Sequence, residues 1–270
     1  MNKSVLAAMS LLTAAAMTAG CGGAGAEQPA ATENKPTVVL VHGAFADSSS
    51  WNGVIKILEG QGYPVIAAAN PLRGLHADAD YVRSVLDGVS GPVVVAGHSY
   101  GGSVMSEAAD GHPNVKALVY VASFILEQGE STGELAGKFP GAQLAPALRT
   151  VKYPLPGGGM ADDLYIESGQ FQRVFAADVP ADVAALMAAT QRPIAAAALE
   201  DTATKTAWKT IPSWNLITTQ DLAIPAESMR FMGERAKAQN VEIDASHAVT
   251  VSQPEAVADM IDTAAGASTT

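Results

Sequence analysis

The chain has a single cysteine, Cys21, close to its N-terminus. A folded domain downstream of it therefore forms no internal disulfide, whatever compartment it occupies. Positive charge is also scarce, with 16 Lys and Arg against 27 Asp and Glu and a formal net charge of −11. Phosphates would be repelled, which argues against nucleic acid as a partner. Most of the acidic excess reads as a solvated surface. The N-terminal apolar stretch, Val5 to Thr18, is too short to span a bilayer comfortably. No His, Asp and Glu cluster has the spacing of a metal site, so neither a metal nor a cofactor is expected. There is no internal repeat.

What is present begins with an export segment over residues 1–20. Lys3 supplies a short positive region, the apolar stretch follows, and Thr18-Ala19-Gly20-Cys21 closes it. Small residues directly before a cysteine resemble a bacterial lipoprotein signal, although Thr18 stands where that signal usually has Leu. The resemblance implies lipidation of Cys21 and a membrane contact through that anchor, in a bacterial cell envelope. The alternative is ordinary secretion, with cleavage after a small-residue site such as Ala24-Gly25-Ala26. Either way the protein leaves the cytoplasm. Residues 21–35, rich in Gly, Ala, Pro and Glu, read as a flexible tether.

From Pro36 to the end, apolar strand-like runs alternate with helical segments. The strands are Thr37–Val41, Tyr63–Ala69, Pro92–Ala96, Val115–Ala122, Ser213–Thr218 and Val241–Asp244. Helices fall near Trp51–Glu59, Ala77–Leu86, after Ser99, and at Ala226–Ala238 and Pro254–Ala264. Buried strands alternating with helices imply an α/β fold with a doubly wound, mostly parallel sheet of about six strands. The rhythm breaks over residues 124–208. That stretch is expected to form a helical cap over the active-site edge, with helices at Ala181–Thr190 and Pro193–Glu200 and a loop at Pro154–Gly159. Apolar spacing at Val183, Leu186 and Met187 favours a packed cap.

The chemistry centres on Gly97-His98-Ser99-Tyr100-Gly101-Gly102, which follows a buried strand and opens a helix. A G-x-S-x-G turn in that context forces the serine hydroxyl out above the sheet. Serine is a poor nucleophile until a base takes its proton, and the base needs an orienting carboxylate. The chain order expected is Ser, acid, His. His247, in the loop after the last strand, is the candidate base. His42 and His98 read as structural, and His76 and His112 fall away from the required edge. Asp221, after the strand ending at Thr218, is the candidate acid, with Asp244 and Glu127 as competitors. The oxyanion hole needs two backbone amides, and the candidates are Tyr100 and Ala44, with Phe45 as the fallback to Ala44.

These residues make the chain resemble the α/β-hydrolase superfamily, and within it small esterase-like members near the plant hydroxynitrile lyases and methylesterases. The resemblance rests on His42-Gly43-Ala44, Trp51, the Ser99 turn, Asp221 with Pro225, and Ser246-His247-Ala248 followed by Pro254. It covers about Pro36 to Gly266. It implies the α/β-hydrolase fold over residues 36–270, with the family's first two strands absent.

Hydrolysis of a small carboxylic ester through an acyl-enzyme is the leading expectation, with a small-molecule ester as partner. Lactone or C–C bond hydrolysis, cofactor-free haloperoxidase-like chemistry and cyanohydrin cleavage share the same triad and stay open. Cyanohydrin cleavage calls for a cap lysine or an equivalent polar group beside the triad, for which Lys138, Lys152, Lys205 and Lys209 are available. Haloalkane dehalogenases and epoxide hydrolases of the superfamily carry Asp where Ser99 stands, so both are disfavoured. A binding protein that kept the fold is the competing class, and a missing triad member would signal it. None is missing.

Overall fold

Runs of β-branched residues such as TVVLV and VVVA cannot stay in water cheaply, and their stiff side chains suit an extended backbone. They build the central sheet of this protein, seen in a computed structural model that describes residues 35–268. The export segment over 1–20, Cys21 and the tether up to Asn34 lie outside the described residues.

The chain runs β1 (Thr37–Val41), α1 (Asn52–Gly60), β2 (Val65–Ala68), α2 (Leu75–Asp87), β3 (Val93–His98), α3 (Tyr100–Ala109) and β4 (Val115–Val121). The cap follows with α4 (Thr132–Ala136), β5 (Leu148–Pro154), β6 (Met160–Ile166), α5 (Ser168–Phe175), α6 (Ala181–Thr190), β7 (Ile194–Ala195) and α7 (Ala196–Glu200). The main fold resumes with β8 (Ser213–Thr218), α8 (Ala226–Arg235), β9 (Gln239–Ile243), α9 (Val249–Ser252) and α10 (Pro254–Ser268).

Six strands form one sheet in the order β2-β1-β3-β4-β8-β9. Every pairing is parallel, with Val39 opposite Ile66 on one side and Val95 on the other. The expected fold class and strand number hold. Strand β3 is buried along its whole length, as a parallel strand covered by helices on both faces must be. Fully buried Trp51, Leu40, Leu118, Tyr120 and Ile261 belong to the core on the two faces of this sheet. Each such aliphatic side chain contributes roughly 1.5–3 kcal/mol by leaving water. The strand order reverses between β1 and β3, because β2 lies on one side of β1 and β3 on the other. In open α/β sheets that switch point, at the C-terminal ends of the strands, is where ligands bind.

The cap differs from the all-helical expectation. Beside α4 to α7 it holds a three-stranded antiparallel sheet in the order β5-β6-β7. The loop at Pro154–Gly159 is the turn of the β5–β6 hairpin, which closes on Pro154 opposite Met160. Residues 149–152 are exposed, so β5 lacks the buried apolar stripe that reveals a strand in sequence. Ile194 and Ala195 pair with Leu164 and Asp163 as strand, and the expected Pro193–Glu200 helix starts only at Ala196. Within α6, Val183 and Met187 pack against the core as expected, whereas Leu186 is 68% exposed.

Candidate active site

Strand β3 ends in Gly97-His98 and turns abruptly through Ser99, whose φ is +54° and ψ −127°. A residue with a Cβ pays of order 1–3 kcal/mol for such a backbone and keeps it only where the surroundings enforce it. Here three donors converge on the Ser99 carbonyl: Ser123 Oγ at 2.6 Å, the Gly102 amide at 3.0 Å and the Phe124 amide at 3.4 Å. The turn also needs space. A Cβ on Gly43 would stand 2.6 Å from Ser99 Cβ, and one on Gly97 would stand 2.7 Å from the Gly101 carbonyl carbon. Both distances are shorter than a Cβ tolerates, so glycine is required at both positions.

Loops at the C-terminal ends of β8 and β9 bring two more residues to Ser99. His247 Nε2 lies 2.9 Å from Ser99 Oγ, and His247 Nδ1 lies 2.7 Å from Asp221 Oδ2. All three side chains are buried. The carboxylate of Asp221 is held from every side. Oδ1 accepts the amides of Ala223 and Ile224, each at 2.8 Å, and Oδ2 accepts Thr218 Oγ1 at 2.9 Å. With its oxygens fixed, Asp221 sets the direction of Nδ1–H and turns the bare Nε2 of His247 towards the serine.

Neither competing carboxylate pairs with His247. Asp244 is exposed and takes a hydrogen bond from Thr219 Oγ1 at 3.4 Å, while Glu127 pairs with Lys209. His76 pairs with Glu107 and His112 with Asp87. His42 and His98 are buried neutral bases. Desolvation lowers His98 to about 3 and His42 to about 4, against an ordinary value of 6.5. Both are structural, as their place beside glycines suggests.

Tyr100 opens α3, so its N–H has no intrahelical partner. Ala44 and Tyr100 both line the cavity that reaches Ser99. The Phe45 amide is already given to the Arg192 carbonyl at 3.1 Å, which leaves Ala44 as the available donor of the two. The Tyr100 hydroxyl points away and donates to Asp78 Oδ2 at 2.8 Å. Burial pushes the carboxyl of Asp78 up, even though it accepts the Arg73 amide. Lys138 lies over the Phe231 ring, Lys152 pairs with Asp162 and Lys209 with Glu127. Among the described residues none of the four lysines lines the cavity at Ser99.

Three supporting residues escape a reading of motifs. Thr218, the last residue of β8, grips Asp221. Phe175 of the cap sets its ring against the His247 imidazole, with centroids 4.8 Å apart at 72°. Asp178 accepts the amide of Ser246 at 3.0 Å and also its hydroxyl. The spacing from Thr218 to Asp221 is a local signal, but Phe175 and Asp178 reach their partners only through the tertiary fold.

Residues 38–260 match the alpha/beta hydrolase family, and the chain belongs to it. It is accordingly an enzyme of the hydrolase class. A pyrethroid hydrolase of Sphingobium wenxiniae is 26% identical over 251 residues, covering 83% of this chain and 85% of the relative. Among solved structures, a polyneuridine aldehyde esterase superposes with a TM-score of 0.74 at 19% identity, covering 85% of this chain and 98% of that one. A methylesterase from Arabidopsis does so at 0.71 and 16% identity, covering 86% and 99%. The last two likenesses concern the fold.

Proposed function

We propose that the protein is a serine hydrolase that cleaves a small carboxylic ester through an acyl-enzyme. The observation that carries this is the unbroken line from Asp221 to His247 to Ser99, at 2.7 and 2.9 Å. Ser99 Oγ attacks the ester carbonyl carbon while His247 Nε2 takes its proton. The amides of Ala44 and Tyr100 hold the oxyanion of the tetrahedral intermediate. Collapse breaks the bond to the alcohol oxygen, which leaves with the proton from His247. Water then attacks the acyl-enzyme, again giving its proton to His247, and the acid departs as Ser99 is restored. Asp221 fixes the tautomer and stabilises the imidazolium without taking its proton.

Relatives called pyrethroid hydrolase and carbendazim hydrolyzing esterase support ester chemistry. The deciding experiment is Ser99→Ala. Hydrolysis of short p-nitrophenyl esters and labelling by a fluorophosphonate should both disappear. Intact hydrolysis in that variant would mean that another residue is the nucleophile.

We propose further that Cys21 carries the lipid that holds the exported protein at a bacterial cell envelope. Cys21→Ser should move the protein from the membrane fraction to the soluble one, and an unchanged fraction would refute the anchor.

A further inference from the structure

The space around Ser99 is divided unequally. The cavity lined by Ser99, Ala44 and Tyr100 has a volume of about 50 Å³. Its far wall is apolar and comes from Phe124, Leu144, Leu148, Leu199 and Ile224. About 10–15 Å³ of such space holds one water, so only a few heavy atoms fit. Beyond Phe45 lies a second space of about 330 Å³. That volume is within the range of roughly 300–1,000 Å³ typical of small-molecule sites. Val183, Leu186 and Met187 of α6 line it together with polar residues that include Asp47, Asn52 and Gln191. Phe45 borders both spaces. Its φ of +60° is strained for a phenylalanine, and its amide is tied to the Arg192 carbonyl of the cap at 3.1 Å.

Chemistry says which part of an ester goes where. The carbonyl oxygen must meet the amides of Ala44 and Tyr100, whereas the leaving oxygen must reach His247 Nε2 to collect its proton. The small cavity touches both amide-bearing residues, and among the described residues His247 does not line it. We infer that the substrates are esters of a short, apolar acid with a bulky alcohol that carries both apolar and polar groups. The acyl chain occupies the small cavity, and the alcohol extends past Phe45 along α6. This rests on the serine-hydrolase reading above and assigns the two halves of its substrate. The exposed Leu186 then has a use, since it offers apolar surface to the alcohol. The size split is the reverse of that in a methyl ester of a bulky acid.

Two ester series on the full chain test this, with fluorophosphonate labelling of Ser99 checked on the same preparation. With p-nitrophenol as the constant alcohol, kcat/KM should fall about tenfold for each methylene added once the cavity is full, from acetate through hexanoate. With acetate as the constant acid, enlarging the alcohol should raise kcat/KM or leave it unchanged. Leu148→Ala and Leu199→Ala enlarge only the small cavity and lie on separate elements, β5 and α7. Either should raise the hexanoate-to-acetate ratio about tenfold or more and leave the alcohol series alone. A labelled enzyme that prefers long acyl chains, or methyl esters of bulky acids, overturns the assignment while leaving the serine-hydrolase reading standing. Unchanged acyl profiles in both folded variants overturn it as well. Ester turnover that persists without labelling of Ser99 removes the reading on which it rests.

Discussion

His98, the residue before Ser99, donates from Nε2 to the backbone carbonyl of His247 at 2.8 Å. The two rings sit 4.7 Å apart, with His98 wholly buried. A carbonyl only accepts, so the proton of His98 stands on Nε2 and the imidazole is neutral. A charged His98 so close to His247 would oppose the imidazolium that the proposed mechanism forms there. Burial prevents this by holding His98 at about 3. One turn of chain thus supplies the candidate nucleophile and a clamp on the loop that carries its base.

The same burial predicts how the fold responds to acid. His98 and His42 have folded values of about 3 and about 4, below the ordinary 6.5 that they regain on unfolding. Between those limits the unfolded chain binds more protons, so stability is complete above about pH 6.5 and drains away as pH falls. Down to about pH 4 each histidine contributes about 3 kcal/mol to that loss. Urea unfolding from about pH 7 to about pH 4 should show the decline. His98→Gln keeps an N–H donor and cannot titrate, so its profile should be flatter. A profile as steep as the unaltered protein's would remove His98 from the account.

Carboxylate geometry separates the two acids near the base. Asp221→Asn keeps the size of the side chain but reverses the preferred tautomer of His247. A loss of about 10⁴-fold in kcat is expected, with little change in thermal stability. Asp244→Asn, altering an exposed side chain that meets only Thr219, should stay within about threefold. Steady-state kinetics on one activated ester checks both, and the opposite ranking would reassign the acid.

How much of this was visible in the sequence depends on the range of each interaction. The Ser99 turn, Asp221 and His247 each follow a β-branched or apolar strand, so local pattern places them on one sheet edge. Ala44 follows from β1 in the same way. The β5–β6 hairpin was hidden because β5 is largely exposed and β6 buries Asp163 and Ile166, three residues apart rather than at a period of two. Ile194 and Ala195 pair with β6 through contacts 30 and 32 residues distant, which no local helix signal discloses. The grip of Ser123 on the Ser99 carbonyl and of Asp178 on Ser246 is of the same long-range kind.

That last contact makes a prediction about the cap. Asp178, just after α5, accepts the amide and hydroxyl of Ser246, and Phe175 of the same segment lies against the His247 ring. The cap therefore steadies the loop that carries the base, besides covering the site. In Asp178→Ala the buried Ser246 loses the acceptor of its amide and keeps only the Phe175 carbonyl, at 3.5 Å, for its hydroxyl, a cost of about 1–3 kcal/mol. The loop gains freedom, and His247 spends less time in line with Ser99. The expected result is a fall of about tenfold in kcat with KM changed much less, because the walls of the Ser99 cavity do not include Asp178. Asp178→Asn retains one acceptor oxygen and should recover part of the loss. Equal kcat in the unaltered protein and Asp178→Ala, at temperatures where both are folded, would reduce the contact to a structural tie.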